Sequence, residues 1–409
     1  MSGDLIELSL TGLAYGGEAF GRDDDGRMVF VPFALPGERV SLQIVEARKR
    51  WARGRLVEVL EPSAQRISPR CPHFTLCGGC HYQHMSYDDQ LLAKTGIVVE
   101  QLQRIGGFET PPVEAAVPSP SAWNYRNHMR FSLAPEGKLG FVTADGPRVF
   151  AIQECHLPEP ALVDLWPRLD MAAIPGLDRV ALRAGVEGDL LLALHGGGDP
   201  EVEVRLDLPA SLVWLGPGGA AVLGGEGYLV IEVLGRAYRV SAGSFFQVNT
   251  PLAGELASRA LEALAVEAGE LVFDLYAGVG LFSAGLAARG ARVIAVEESS
   301  WSSADFEVNL DEFDDVSLYE ASVEQALPAI EDKPDAALID PPRAGLSREA
   351  LDLLVEAGPE RLVYISCDPA TLARDGKRLA VAGYKLEQVT PIDLFPQTYH
   401  IETISSWRR

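Results

Sequence analysis

The sequence predicts an α/β protein in three parts: a small β-barrel over 1–60, a strand-rich central domain over 61–235, and a doubly wound, mostly parallel sheet over 236–409. Three observations lead there. The chain has 409 residues, more than one compact core usually covers. Its first part alternates apolar and polar residues between glycine-rich breaks. Beyond about residue 236, short apolar strands alternate with helical patterns, which is how parallel sheets are written in sequence.

In the first part LIELSL, RMVFVPF, ERVSLQIV and ARGRLVEVL read as strands, about five in all. Short strands at this density suggest a barrel, with the oligonucleotide-binding kind among the candidates. Arg48, Lys49, Arg50, Arg53 and Arg55 surround Trp51 in its last hairpin. Such a basic cluster suits nucleic acid; a generic barrel with no ligand is the alternative.

The central domain opens on a loop carrying Cys71, Cys77 and Cys80. Tyr87 to Ile105 then reads as a helix capped by Ser86, with apolar Leu91, Leu92, Val98, Val99 and Leu102. This helix is expected to pack on the third part. HMRFSLA, LGFVT, RVALRAG, DLLLALH and YLVIEVL read as strands. The glycine-rich stretch 216–227 reads as a loop; no Lys or helix start follows it to cradle a phosphate.

In the third part the strand candidates are ELVFDLY, RVIAVE, SLYEA, AALID, RLVYISC and KLEQVTPIDLF. Ligands of such sheets sit beyond the carboxyl ends of the strands. In DLYAGVGLFS, Gly278 and Gly280 let the backbone approach a ligand, ahead of a helix N-terminus. Ser283 stands where the dinucleotide fingerprint wants Gly or Ala. Glu297 ends the next strand and suits two ribose hydroxyls, whereas Glu298 reads as solvated surface. A nucleotide-free turn is the alternative. Asp340 faces the same edge, Pro341 and Pro342 stiffen the following loop, and Arg343 adds a fixed cation.

Cys367 follows the strand RLVYIS, and Asp368–Pro369 turn the chain into a helix. Alone, such a Cys is more often structural; its spacing from the motifs above favours a nucleophile. A helix N-terminus or a nearby cation would activate it. Glu402, beside His400 in the last strand pattern, is a candidate general base if burial raises its pKa. Alternation would point His400 and Glu402 the same way.

SFFQVN, DLYAGVGLF, VE, DPPRAGL, SCDPATLARD and FPQTYHIE occur in order over nearly the whole chain. Together they resemble the RNA uracil-5-methyltransferase family. The resemblance implies a C-terminal Rossmann-like methyltransferase domain and an N-terminal TRAM domain that binds RNA. It implies that Gln247, Tyr276, Glu297 and Asp340 bind S-adenosylmethionine, that Cys367 is the nucleophile, that Glu402 accepts the C5 proton, and that Arg343 assists at the uracil. Position 281 departs from the pattern: it is Leu, where some relatives carry a polar residue that touches the cofactor.

The remaining cysteines sharpen the resemblance. Cys71, Cys77 and Cys80 are spaced Cys-x5-Cys-x2-Cys, and Cys155 is the plausible fourth ligand. In the branch that methylates 23S ribosomal RNA these four hold a [4Fe-4S] cluster. By ligand count a structural zinc fits equally. The spacing differs from that of radical enzymes, so the cluster reads as structural or RNA-positioning. His73, His81 and His84 read as ordinary loop residues. The bacterial tRNA branch typically lacks both cluster and TRAM domain, which favours 23S rRNA over tRNA as partner.

Net charge is −23, which weighs against a nucleic-acid partner. About half of it falls in 294–335, where thirteen acidic residues face one Lys; residues 1–110 carry only −2. No apolar run approaches the ~18 residues of a membrane helix, and no secretory signal is visible. A cytoplasmic monomer is the expectation. The rivals are a DNA cytosine-5-methyltransferase, which would lack the DPPR motif and the barrel, and an RNA-binding protein with a decayed methyltransferase domain.

Overall fold

The computed structural model describes residues 5–169, 171, 174–198 and 209–409. The first part is a six-stranded sheet in the order Leu5–Ser9, Arg39–Ala47, Trp51–Glu61, Met28–Pro32, Glu18–Arg22, Gly12–Leu13. Leu5–Ser9 and Glu18–Arg22, from opposite halves of that order, touch each other, so the sheet curls on itself. The alternation read in the sequence turns Leu8, Ala19, Val29, Val31, Val40 and Leu42 into one core.

The central sheet has seven strands: Gly219–Gly224, Ser211–Gly216, Leu190–Gly196, Leu177–Ala184, His128–Leu133, Leu139–Val142 and Val149–Ala151. The glycine-rich stretch 216–227 is therefore not a loop. Gly219–Gly224 pairs antiparallel with Ser211–Gly216; small residues carry no strand signal but do not prevent edge pairing. A hairpin, Tyr228–Val233 with Arg236–Ser241, follows.

The third sheet runs Val316–Glu320, Arg292–Glu297, Leu271–Leu275, Ala336–Ile339, Arg361–Ser366, Glu402–Arg408, Lys385–Ile392. The first five strands are parallel, and Glu402–Arg408 inserts antiparallel. This is the expected doubly wound α/β fold, with helices on both faces burying continuous apolar strands.

The helix Tyr87–Gln101 starts at Ser86, whose hydroxyl accepts the Asp89 N–H at 3.2 Å. It continues as a wider turn over Leu102–Gly106. Ile97, Val98 and Leu102 join the core that holds Leu372 and Trp407 of the third sheet. Leu92, grouped with the apolar face by its chemistry, is 70% exposed, and Lys94 is buried in its place. Among the described residues no helix is long and apolar enough to cross a membrane.

Candidate active site

Four parallel strands deliver their carboxyl ends to one edge. Tyr276 follows Leu271–Leu275, Glu297 closes Arg292–Glu297, Asp340 follows Ala336–Ile339, and Cys367 follows Arg361–Ser366. At the turn after the first strand Tyr276 takes φ 66°, followed by Gly278 at 57° and Gly280 at 92°. A Cβ at Gly280 would sit 2.2 Å from Leu310 Cδ1, so only glycine fits there. The Gly278 N–H donates to Glu297 Oε2 at 2.8 Å, and the Ser299 N–H to Oε1 at 2.8 Å. Each oxygen keeps a further lone pair for a ligand.

Beneath this turn lies Asp274, fully buried. Ser283 donates to its Oδ2, while Oδ1 has no partner among the described residues. Burial pushes its carboxyl up to about 7, with Ser283 pulling the other way. Asp340 is pushed up by burial and then by the charges of Asp274 and Glu297. Glu402, 3% exposed, is held well above the usual carboxylate range by burial and Asp340, and its Oε1 is also unpartnered among the described residues. Buried orphan oxygens along one sheet edge fit a cationic, hydrogen-bonding cofactor.

Register sets the geometry around Cys367. Pairing of Arg361–Ser366 with Glu402–Arg408 matches Ser366 with Thr403. Cys367 and Glu402 are the next residues at these two strand ends, and Cys367 feels the charge of Glu402. His400 lies outside this strand, which begins at Glu402, so alternation does not relate the two. Its ring instead packs on Tyr399 and Phe395, with centroids 4.4 and 5.7 Å away.

Cys367 is half-buried, and its thiol is pushed up to about 12. Burial is the largest cause; Glu402, Asp340 and Asp368 add to it, and Arg343 opposes. The neighbouring cation does not outweigh three carboxylates. In this arrangement the thiol form of Cys367 is favoured.

Tyr15 and Tyr399 escaped the sequence reading, and Asp368 does more than turn the chain. Asp368 caps the helix Pro369–Val381, its Oδ1 accepting from the Ala370 and Thr371 N–H groups at 2.9 and 3.1 Å. Its Oδ2 accepts from the Tyr15 hydroxyl at 3.0 Å and lies 3.5 Å from Arg343 Nε. The Tyr399 ring stands edge-on to Tyr15, with Arg343 5.9 Å from its centroid. Gln247 is buried beside the start of the helix Thr250–Leu264, and its carbonyl accepts from Asn127 Nδ2 at 3.0 Å.

The loop before Glu402 is clamped from the N-terminal side. Lys94 and Asp393, both buried, pair at 2.5 Å, and Lys94 also donates to the Phe395 carbonyl at 3.1 Å. Gln397, at φ 69°, exchanges hydrogen bonds with Gln90 at 2.9 and 3.1 Å. Its carbonyl accepts the N–H groups of His81 and Tyr82 at 2.8 and 3.0 Å. His81 and His84 lie in the loop but are held within it. His81 packs on Tyr399 at 4.5 Å, His84 is 0% exposed, and burial pushes both rings down to about 4.

Cys71, Cys77, Cys80 and Cys155 line one cavity of about 1510 Å³ between the barrel and the central sheet. Cys80 is pushed up to about 12 and Cys155 to about 11, by burial first and with the other cysteines adding to it. Among the described residues no group of three or more His, Cys, Asp or Glu is arranged as it stands to hold a metal ion. Four thiols on one cavity wall, close enough to feel one another's charge, are nevertheless a donor set that suits a thiophilic centre.

Known proteins are similar along the same lines. Residues 227–406 match the family model of tRNA (uracil-5-)-methyltransferases, and residues 1–57 match that of the TRAM domain. A Synechocystis protein described as an uncharacterized RNA methyltransferase is 33% identical over 439 residues, covering 98% of this chain and 95% of its own. An Aquifex aeolicus protein so described is 33% identical over 418 residues, covering 98% and 97%. The crystal structure of Pyrococcus abyssi tRNA (uracil-54, C5)-methyltransferase with S-adenosyl-L-homocysteine superposes with a TM-score of 0.78 at 23% identity, covering 98% of this chain and all of that one.

Proposed function

This chain belongs to the RNA uracil-5-methyltransferase family, and from that premise we propose that it methylates C5 of a uridine through a covalent bond between Cys367 and C6. It is an S-adenosylmethionine-dependent enzyme acting on RNA. The observation that carries the finer reading is the nearness of Cys367 to Glu402: their strands pair up to Ser366 and Thr403, and Cys367 feels the charge of Glu402.

When bound, S-adenosylmethionine supplies an electrophilic methyl group. Glu297 would hold its ribose, with Gly278 and Gly280 giving it room, Asp340 at the same edge, and Gln247 and Tyr276 at its flank. Cys367, once its proton is lost, adds to C6, and the C5–C6 π pair moves toward the O4 carbonyl. Arg343 stabilises the negative charge that develops there. The C5 electron pair would then take the methyl group as its bond to sulfur breaks, that bond's electrons staying on the departing S-adenosylhomocysteine. Glu402 removes the C5 proton, the C5–H pair restores the double bond, and the thiolate leaves. Burial suits Glu402 to this, because it makes the ionised carboxylate a stronger base.

RNA containing 5-fluorouridine tests the mechanism, since fluorine blocks proton loss. With cofactor it should trap a covalent complex stable to denaturing electrophoresis. The Cys367→Ala protein should trap none; an adduct that persists there overturns the assignment.

The four remaining cysteines are read as ligands of a [4Fe-4S] cluster that organises the loop against Gln397. Purified without oxygen, the protein should be brown and contain iron. A colourless protein containing zinc would replace this reading with the structural-zinc one.

The substrate is proposed to be 23S ribosomal RNA, on the strength of the four cysteines. A tRNA is the second reading, favoured by one observation: a full-length structural neighbour acts on tRNA position 54. Mapping 5-methyluridine in both RNA classes from a deletion strain decides between them.

A further inference from the structure

Three of the five cations in the basic cluster of the barrel are held by neighbours, while Lys49 and Arg50 are exposed with no ion pair among the described residues. Arg48 pairs with Glu46 at 3.0 Å, Arg53 with Glu18 at 2.8 Å, and Arg55 donates to Gln43. The central sheet carries another basic face, on which Arg183 is buried and donates to the Ser241 and Ser244 carbonyls. In the central sheet, His128 is level with Arg183, Arg130 with Ala181, and Arg179 with Ser132 on one side and His195 on the other. Alternation sets these basic residues on one face. The other face, including Met129, Phe131, Val180 and Leu182, is buried in a core with Trp166.

Arg130 and Arg179 are exposed, and neither forms an ion pair among the described residues. Arg126, two residues before His128, has a buried Nε with no partner among them. Besides burial, the groups that push His128 down to about 3 are Arg183, Arg126, Arg130 and His195. His195 in turn feels Arg130 and Arg179. Arg183 feels Asp305, but Arg126, Arg130 and Arg179 form no ion pair among the described residues, and like charges so gathered cost energy that an anionic partner would offset. In a chain of net charge −23, nearby carboxylates would be the default neighbours.

The face also adjoins the site. Asn127, between Arg126 and His128, donates its N–H to the Val248 carbonyl at 2.8 Å and its Nδ2 to that of Gln247 at 3.0 Å.

We propose that this face, centred on Arg130 and Arg179, grips the sugar-phosphate backbone of the substrate RNA beside the target nucleotide, and supplies more of the salt-sensitive affinity than the barrel arginines do. The proposal rests on the chain being an RNA methyltransferase. It adds where the RNA is held.

Binding of fluorescein-labelled single-stranded RNA, measured by anisotropy from about 50 to about 300 mM salt, tests it without depending on turnover. In Arg130→Gln and Arg179→Gln the slope of log affinity against log salt should fall by about 0.7 for each phosphate that is no longer neutralised. The weakening should be similar for unrelated RNA sequences. Arg→Lys at either position should restore most of the slope. Thermal unfolding and S-adenosylmethionine affinity should not move, because both side chains are exposed and form no ion pair among the described residues. An unchanged slope in both single variants overturns the proposal. So does a fall in slope no larger than that produced by Arg48→Gln and Arg53→Gln. If the unaltered protein binds RNA with the expected slope yet traps no 5-fluorouridine adduct, the mechanism fails and this proposal stands.

Discussion

Tyr15 donates its hydroxyl to Asp368 Oδ2 at 3.0 Å, joining the N-terminal barrel to the residue that follows Cys367. Tyr15 packs against the core of the third sheet, edge-on to Tyr399, and Arg343 approaches the same carboxylate oxygen. The barrel thus helps complete the site.

Tyr15→Phe should lower kcat roughly tenfold, since a hydrogen bond to a charged group contributes about 1.5 kcal/mol. KM for RNA should change little, because the ring and its packing remain. Steady-state kinetics with both substrates varied would check it. A rise in KM at unchanged kcat would instead make Tyr15 an RNA contact.

Cys367 should alkylate as a thiol. With its pKa pushed up to about 12, its reaction with iodoacetamide should rise about tenfold per pH unit through about pH 8–11, where an ordinary cysteine of pKa about 8.5 has levelled. Peptide mass spectrometry reads the rate at this residue alone. Glu402→Gln removes the largest opposing charge and should bring the plateau to lower pH. A wild-type plateau below about pH 9 would mean a preformed thiolate.

Asp274 links stability to pH. Its folded pKa of about 7 lies above the ordinary value of 3.8. The contribution to stability is therefore fully present below about pH 4 and lost as pH rises through about 7. Asp274→Asn lacks this dependence. Its Tm relative to wild type should climb by several degrees from about pH 4 to about pH 7 and stay level above, as calorimetry over that range would record.

Lys94→Met leaves Asp393 buried and uncompensated, and should destabilise the protein by about 3–5 kcal/mol. Lys94→Met with Asp393→Leu should recover much of that in urea unfolding. Because Asp393 anchors the loop leading to Glu402, kcat of the double variant should remain low even where stability returns.

The sheet strands, the glycine turn and the capped helix at Ser86 were legible because each is local. Periodicity, a φ-permissive residue or an N-cap lies within a few positions. Glu297, Asp340 and Cys367 were legible for the same reason, since strand ends in a parallel sheet converge by topology. Tyr15 was not, because nothing near it in sequence hints that Asp368 is its partner. Lys94 was hidden by its type: a lysine on an amphipathic helix reads as solvated until Asp393 is found across from it. The resting state of Cys367 also depends on carboxylates from several strands, and a motif names only the nearest.

The ladder that brings Cys367 and Glu402 to adjoining strand ends has a consequence for how this chain tolerates change. The register of Arg361–Ser366 against Glu402–Arg408 is not set by the helix Pro369–Val381 and the turn after it, which lead from Arg361–Ser366 to Lys385–Ile392. Insertions at the turn around Gly383 leave the nucleophile and base at adjoining strand ends. Deleting one residue inside Glu402–Arg408 reverses which face every later side chain presents. Length variation during evolution, or in a design, can therefore accumulate in the connection while the strands themselves stay incompressible.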